Sequence, residues 1–339
     1  MDFEQVGALI EKAGKISVIV HTRPDGDAIG SGLALQMALE KHGKDVSLIS
    51  PDPLAGFLQW LPQAGRILIF SEHPDKSERI LRESDLIFIV DFNTFSRAGN
   101  ELGAILEQLV REKTFLMIDH HLQPDERIPY RLSDPSKASS AELVFEFLQK
   151  TGLIQRPDPE IATAVYTGIL TDTGSFKFDK TSGQTHRIAA QLIEAGADNA
   201  AIHSRIFDTY SYQRLQLLGE AIRRMKVIPD CGVSYIVLDE ETLRRFQYKP
   251  GDTEGIVNYG LMLDGIRFTA LITQKPDENK IRLSFRSKGN FDVNRFARAY
   301  FDGGGHKNAA GGSFKGSLDE LESYLLDKVR QHCDEIKQA

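Results

Sequence analysis

Five short runs, KISVIV (15–20), DVSLIS (45–50), RILIF (66–70), DLIFIV (85–90) and TFLMI (114–118), are apolar almost from end to end. A strand that alternates apolar and polar residues needs one covered face. Runs like these need two, which points to a mostly parallel sheet between layers of helices. The intervening segments suit that arrangement. From Ala28 to His42 the spacing is helical, with Ile29, Leu33 and Met37 on one side and Gly43 placed to end the helix. Further helices are expected at 139–152, capped by Ser139 or Ser140, and at 158–171, 184–195 and 211–225.

After residue 195 the pattern changes. Residues 196–212 read as a short helical connector, and beyond them VSYIVL, IRFTALIT and KIRLSFRS are strand candidates, with helices near 253–263, 291–300 and 318–336. The expected organisation is therefore an α/β domain over 1–195, the connector, and a smaller mixed-sheet α/β domain over 213–339.

Two cysteines, Cys231 and Cys333, stand far apart and outside any CxxC pair. Neither a zinc-thiolate site nor a disulfide is expected from that spacing, and a reducing cytoplasm fits. No apolar run reaches the roughly 20 residues that span a bilayer, so no membrane association is expected. The opening MDFEQVGALIEKAGK has early acids and no signal-like apolar core, so export is not expected. Net charge is −7, which argues against general binding to duplex DNA. The charge is uneven: residues 210–315 carry 17 Lys and Arg against 12 Asp and Glu. A basic segment of this kind suits a small anionic ligand, although a merely solvated surface gives the same composition.

The ends of the apolar runs carry the chemistry. Ligands of open parallel α/β sheets bind at the carboxyl ends of the strands. The first run ends at His21, with Asp25 and Asp27 in HTRPDGD. Another ends at Asp91, and a third at Asp119, His120 and His121. Asp172 follows an apolar helical stretch in GILTDTGSF. Each has an ordinary reading, since Asp25 and Asp27 suit a turn or helix cap and Asp91 a loop. Together they form a mixed oxygen and nitrogen donor set without sulfur, which suits Mn²⁺, with Mg²⁺ or Co²⁺ as substitutes. Such a set has enough donors for two ions bridged by a carboxylate, the arrangement that activates water against a phosphoryl group.

The motifs HTRPDGD, VDFNT, IDHH and LTDTGSF, in this order, resemble those of the DHH phosphoesterase family. GGGHKNAAGGSF resembles the glycine-rich signature of the DHH-associated C-terminal domain. The likeness covers nearly the whole chain and is greatest to the compact bifunctional branch of that family. It implies hydrolysis of short single-stranded RNA to mononucleotides and removal of the 3′-phosphate of 3′-phosphoadenosine 5′-phosphate, with two Mn²⁺ ions and attack from the 5′ end. It further implies that His21 and Asp25 hold one ion, Asp27, His120 and Asp172 the other, and Asp91 both. His121 would lie beside the attacked phosphate with Asp119 orienting it. Strand alternation would also turn His120 away from Asp119 and His121.

In the second domain Ser284, Arg286 and Lys288 share one face of a strand by period two, and Arg286 suits a terminal phosphate. Gly303, Gly304, Gly305 and His306 belong to a loop able to aim N–H groups at an anion. Arg97 is a further phosphate-contacting candidate. A clamp of this kind, distant from the metals, would favour short substrates. Linear dinucleotides from cyclic dinucleotide signalling are an alternative substrate, and a non-catalytic nucleotide- or RNA-binding module is an alternative of another class. A homodimer is compatible with the sequence, although no clear apolar face marks one.

Overall fold

The computed structural model describes residues 1–274 and 280–339. They divide into two compact units, Met1–Thr209 and Tyr210–Ala339.

The first unit runs α1 (Phe3–Lys12), β1 (Lys15–Ile19), α2 (Gly26–Lys41), β2 (Asp45–Ser50), β3 (Leu68–Ile69), α3 (Pro74–Glu83), β4 (Leu86–Val90), α4 (Asn100–Leu109), β5 (Thr114–Asp119), β6 (Tyr130–Ser133), α5 (Ser140–Lys150), α6 (Pro159–Asp172), α7 (Gly183–Glu194) and α8 (Asn199–Phe207). Its six strands lie in the order β3-β2-β1-β4-β5-β6, and every pairing is parallel. Alternate residues of each central strand go to opposite faces, which explains the apolar runs. Val18, Leu48, Phe88 and Leu116 join one buried cluster with α2, α5 and α6, while Ile19, Ile49, Ile89 and Met117 join another with α3 and α4. Of RILIF only two residues enter the sheet, because β3 is an edge strand that follows a short 3₁₀ turn at Ala64–Arg66.

Helix α2 is buried from Gly26 to Leu39, so the sidedness expected from Ile29, Leu33 and Met37 gives way to burial all round. It crosses α6 at two glycines. A Cβ on Gly30 would stand 2.4 Å from the carbonyl oxygen of Ala164, and one on Gly168 would stand 3.0 Å from Asp27 Oδ1 of α2 and 2.6 Å from the Cβ of Ala141 on α5. Gly30 lies one turn after Asp27 and Gly168 one turn before Asp172, so the crossing that needs glycine also sets these two carboxylates.

The second unit contains α9 (Tyr212–Arg223), β7 (Lys226–Ile228), β8 (Val233–Leu238), α10 (Glu240–Arg245), β9 (Phe268–Thr273), β10 (Ile281–Ser287), α11 (Val293–Tyr300), β11 (Gly304–His306), β12 (Ala309–Phe314), α12 (Leu318–Gln331) and α13 (Cys333–Gln338). The sheet order is β11-β12-β10-β9-β8-β7, with β8 and β9 parallel and the other pairs antiparallel. Phe268 and Phe285 of the sheet pack on one face against Phe296 of α11, Phe301 and α12, and Ile236 and Leu271 lie on the other with Leu217 of α9. The expected helix at 253–263 is a 3₁₀ segment, Ile256–Met262; Gly255 and Gly260 weaken an α-helix there.

The cysteine expectation is overturned. Cys231 and Cys333 form a disulfide across 102 residues, which ties α13 to the short turn Pro229–Cys231. Sequence spacing reports local pairs and misses partners that only the tertiary fold brings together.

Candidate metal centre

Each strand end delivers its side chain through a definite local device. Asp25 is the N-cap of α2, its Oδ1 accepting from the backbone N–H of Asp27 (3.0 Å) and Ala28 (3.1 Å). The cap reading and the site reading therefore coexist, since the same oxygen lies 3.9 Å from His21 Nε2. Asp91 follows β4 at φ 64°, a left-handed backbone that Asp tolerates better than most residues, while its N–H still bonds Ile118 at 3.0 Å. Asp172 is the last residue of α6, where the helix dipole disfavours an acid. That position calls for a compensating positive charge.

The structure brings all six expected ligands into two groups. His21, Asp25 and Asp91 form one, Asp27, His120 and Asp172 the other, and within each group the ligand atoms lie within 4.8 Å of one another. His21 Nε2 stands 3.3 Å from Asp91 Oδ2, and His120 Nε2 stands 3.4 Å from Asp172 Oδ2 and 3.7 Å from Asp91 Oδ1. Asp91, His120 and His121 form a third such group.

Two backbone carbonyls decide what this arrangement demands. His21 Nδ1 faces the carbonyl of Thr22 at 2.8 Å, and His120 Nδ1 faces that of Lys137 at 3.3 Å. A carbonyl only accepts, so both rings donate from Nδ1. In the neutral ring each Nε2 then aims a lone pair at carboxylate oxygens, and only a proton or a metal cation between them resolves the conflict. Carbonyl-fixed imidazoles of this kind are the usual support of metal-ligating histidine.

The electrostatics agree. Burial, then the negative fields of Asp91, Asp172 and Asp25, push the Asp27 carboxyl well above its ordinary value. Burial pushes Asp172 up to about 7, with His120 opposing and Asp91 and Asp25 adding to the rise. Burial also works against charge on Asp91, but the hydrogen bond from His21 and the neighbouring imidazoles hold its carboxyl below the usual range. Four carboxylates with two or three imidazoles thus carry more negative charge than the site can hold, as a divalent-cation site does before loading.

The sequence did not expose the groups that hold the acids. Ser139 caps α5, and the next two N–H groups reach Asp27: Ser140 N at 2.6 Å to Oδ2 and Ala141 N at 2.8 Å to Oδ1. Ser140 Oγ donates to Asp91 Oδ1 at 2.8 Å. In the pair Ser139-Ser140 one hydroxyl caps the helix and the other is left free to bond Asp91.

The alternation expected for Asp119-His120-His121 fails, because β5 ends at Asp119 and both histidines lie beyond it. Their rings meet edge to face at 4.8 Å, and both approach Asp91 Oδ1, His121 Nδ1 at 3.9 Å. Asp119, fully buried, holds His121 through Oδ1 to Nδ1 at 2.7 Å and through Oδ2 to the backbone N–H at 3.1 Å. Arg97 lies beside the first strand end, its carbonyl accepting from Thr22 N at 2.8 Å.

In the second unit Ser284 and Arg286 share the half-exposed face of β10, Lys288 follows just past its end, and Leu283, Phe285 and Ser287 are buried on the other face. The strand is interior, between β9 and β12. Burial lowers the pKa of the Arg286 guanidinium, whose Nη1 donates to the carbonyl of Phe285 at 2.9 Å. In the expected anion loop at 303–306, Gly304–His306 form an edge strand, β11, hairpinned to β12. A Cβ on Gly303 would stand 2.0 Å from the carbonyl oxygen of Gly311, and Gly305 N donates to Asn294 Oδ1 at 3.0 Å. Gly303 and Gly305 serve close strand approach, with His306 exposed at the end of β11.

Residues 15–169 match the family model described as DHH family, N-terminal domain, and residues 232–335 match the DHHA1 domain. The chain is 31% identical over 320 residues to the bifunctional oligoribonuclease and PAP phosphatase NrnA of Thermus thermophilus, spanning 94% of this chain and 90% of that one. The chain belongs to the DHH family. Another DHH-family relative, the Bacillus subtilis protein of the same name, is 26% identical over 91% of each chain. A solved structure of an exopolyphosphatase-related protein from Bacteroides fragilis superposes with a TM-score of 0.95 at 33% identity, covering 99% of this chain and 97% of that one. The DHH run itself is Asp119-His120-His121, the segment in which the strand ends and the two imidazoles begin.

Proposed function

We propose that this DHH-family chain is a divalent-metal phosphoesterase that degrades short oligoribonucleotides to mononucleotides and converts 3′-phosphoadenosine 5′-phosphate to AMP. The observation that carries the reading is the pair of donor groups, His21–Asp25–Asp91 and Asp27–His120–Asp172, set at the ends of parallel strands and of α6. The names of the Thermus and Bacillus relatives support the substrate class.

In this reading His21 and Asp25 hold one Mn²⁺ ion, Asp27, His120 and Asp172 the other, and Asp91 both, with Mg²⁺ or Co²⁺ as substitutes. Two such ions, when bound, supply an activated water and neutralise phosphoryl charge. The chain supplies the rest. The Thr22 and Lys137 carbonyls fix the tautomers of His21 and His120. Ser140 and the N-terminus of α5 hold Asp91 and Asp27. Asp119 fixes His121, which is thereby oriented to hydrogen-bond a phosphoryl oxygen. Arg97 in the first unit and Ser284, Arg286, Lys288, Gly303, Gly304, Gly305 and His306 in the second are the proposed substrate contacts. Arg286 suits a phosphate because a half-buried guanidinium gains most from an anionic partner.

No helix among the described residues is long and apolar enough to cross a membrane. A cytoplasmic setting is proposed on the substrate class alone, because the Cys231–Cys333 disulfide withdraws the support that unpaired cysteines would give a reducing compartment.

The test is incubation of the purified protein with Mn²⁺ and, separately, labelled RNA from two to about two dozen nucleotides, 3′-phosphoadenosine 5′-phosphate, pyrophosphate and polyphosphate. Turnover of short RNA and of the adenosine bisphosphate is expected. Hydrolysis of pyrophosphate alone would overturn the substrate class, and no turnover by metal-loaded protein would leave a binding module.

A further inference from the structure

One buried carboxylate in the first unit has no place in the chemistry above. Glu142 stands in the first turn of α5, 1% exposed, and its carboxylate pairs with residues other than the six proposed ligands. Burying a carboxylate is unfavourable unless it is paired and hydrogen-bonded, so its partners show what it is for. Its Oε1 accepts from Lys137 Nζ at 3.2 Å, and its Oε2 accepts from the buried Thr185 Oγ1 at 3.0 Å. Lys137 also pairs with Glu146.

Both partners lie on segments that border the metal centre. The backbone carbonyl of Lys137 fixes His120 Nδ1. The Lys137 N–H is held by the carbonyl of Asp134, whose own N–H bonds the carbonyl of Asp119 at 3.2 Å. Thr185 belongs to the capping box of α7, its Oγ1 accepting from Ser182 N at 3.1 Å, and thereby anchors the far end of the segment that leaves Asp172. Glu142 itself sits within two residues of Ser140 and Ala141, which hold Asp91 and Asp27.

We propose that Glu142 is a positioning residue: by gripping Lys137 and Thr185 at once, it locks the 134–141 segment in the one placement that orients His120, Asp27 and Asp91 for metal binding. This inference rests on the metal-centre reading. Loss of such outer support costs about 10–100-fold in metal affinity. A residue that merely filled space would leave ring tautomer and metal affinity alone.

The experiment compares wild type with Glu142→Leu, Glu142→Gln and Thr185→Val. Mn²⁺ affinity is measured by competition with a fluorescent chelator. The His120 tautomer is read from long-range ¹H–¹⁵N spectra of the metal-free protein, assigned with His120→Gln. Glu142→Leu is expected to weaken Mn²⁺ about 10–100-fold and to mix the His120 tautomers. Glu142→Gln, which keeps an acceptor for either partner, recovers most of the loss, and Thr185→Val shows a smaller loss of the same kind. Should Glu142→Leu fail to fold, the other two variants decide. Wild-type affinity and a single Nδ1–H tautomer in the folded variants would overturn the proposal. A wild-type protein that binds no Mn²⁺ would instead overturn the metal reading, with the tautomer comparison still judging Glu142.

Discussion

Gly30→Ala tests whether the α2–α6 crossing sets the site. The added Cβ would lie 2.4 Å from the Ala164 carbonyl oxygen and 3.0 Å from the Gly168 nitrogen, both backbone atoms that cannot rotate away. Restoring ordinary contact requires the helices to separate by roughly 1 Å, and overpacking of that kind costs about 1–3 kcal/mol. Helix propensity acts in the other direction, since Ala is favoured over Gly by about 1 kcal/mol. The collision is backbone on backbone, so the larger cost applies and the net loss is about 1–2 kcal/mol. For a unit of this size that lowers Tm by about 2–8 °C. Because Asp27 and Asp172 lie one turn from the crossing, Mn²⁺ affinity should fall with stability. Calorimetry with a parallel Mn²⁺ titration measures both. A Tm equal to or above wild type with unchanged Mn²⁺ affinity would refute the argument, since propensity alone would then be acting.

Other outcomes follow from the same geometry. His120→Ala should lower Mn²⁺ occupancy, whereas His121→Ala should slow hydrolysis with metal largely retained; equal metal loss in the two would remove the division of roles. In metal-free protein Asp172, raised to about 7 from an ordinary 3.8, holds a proton that the unfolded chain has released. That stabilisation is complete below the unfolded value and is lost as pH rises through about 7. His21, also raised, acts with the same sign. The Tm of metal-free protein should therefore fall from pH 5 to 8 and flatten with saturating Mn²⁺; a Tm that rises over that range without metal would contradict this. Replacing Cys231 and Cys333 by Ser opens a loop closed across 102 residues, with an expected cost of about 3–5 kcal/mol to the second unit in calorimetry. A melt identical to wild type would show that the cross-link carries no stability. Arg286→Ala should raise KM for short RNA with little change in kcat, and an unchanged KM would remove Arg286 from the substrate site.

The parallel sheet was legible because Val18 and Ile19, or Phe88 and Ile89, must each find cover on opposite faces, and only a two-sided layer provides it. Edge strand β6, with all four residues half-buried, lacks that signature and was not expected. The donor residues were legible because ionisable side chains at strand ends are costly without a partner. What holds them was not: Ser140 and Lys137 act through a hydroxyl, an N–H and a carbonyl, and backbone groups leave no trace in residue identity. The His120–His121 geometry was misread because alternation applies only while the strand lasts, and β5 stops at Asp119. GGGH also meets a demand visible only once strand partners are known, because Gly303 and Gly305 relieve crowding against β12.

The central claim is that Asp91 serves two metal ions in a phosphoesterase of short RNA. Its most direct test is Mn²⁺ stoichiometry by metal analysis, read alongside hydrolysis of a labelled trinucleotide, in wild type and Asp91→Asn. The account predicts two ions and conversion to mononucleotides in wild type, abolished by chelation, with loss of bound metal and of turnover in Asp91→Asn. Full turnover by the chelated protein, or two ions and wild-type turnover in Asp91→Asn, would contradict it.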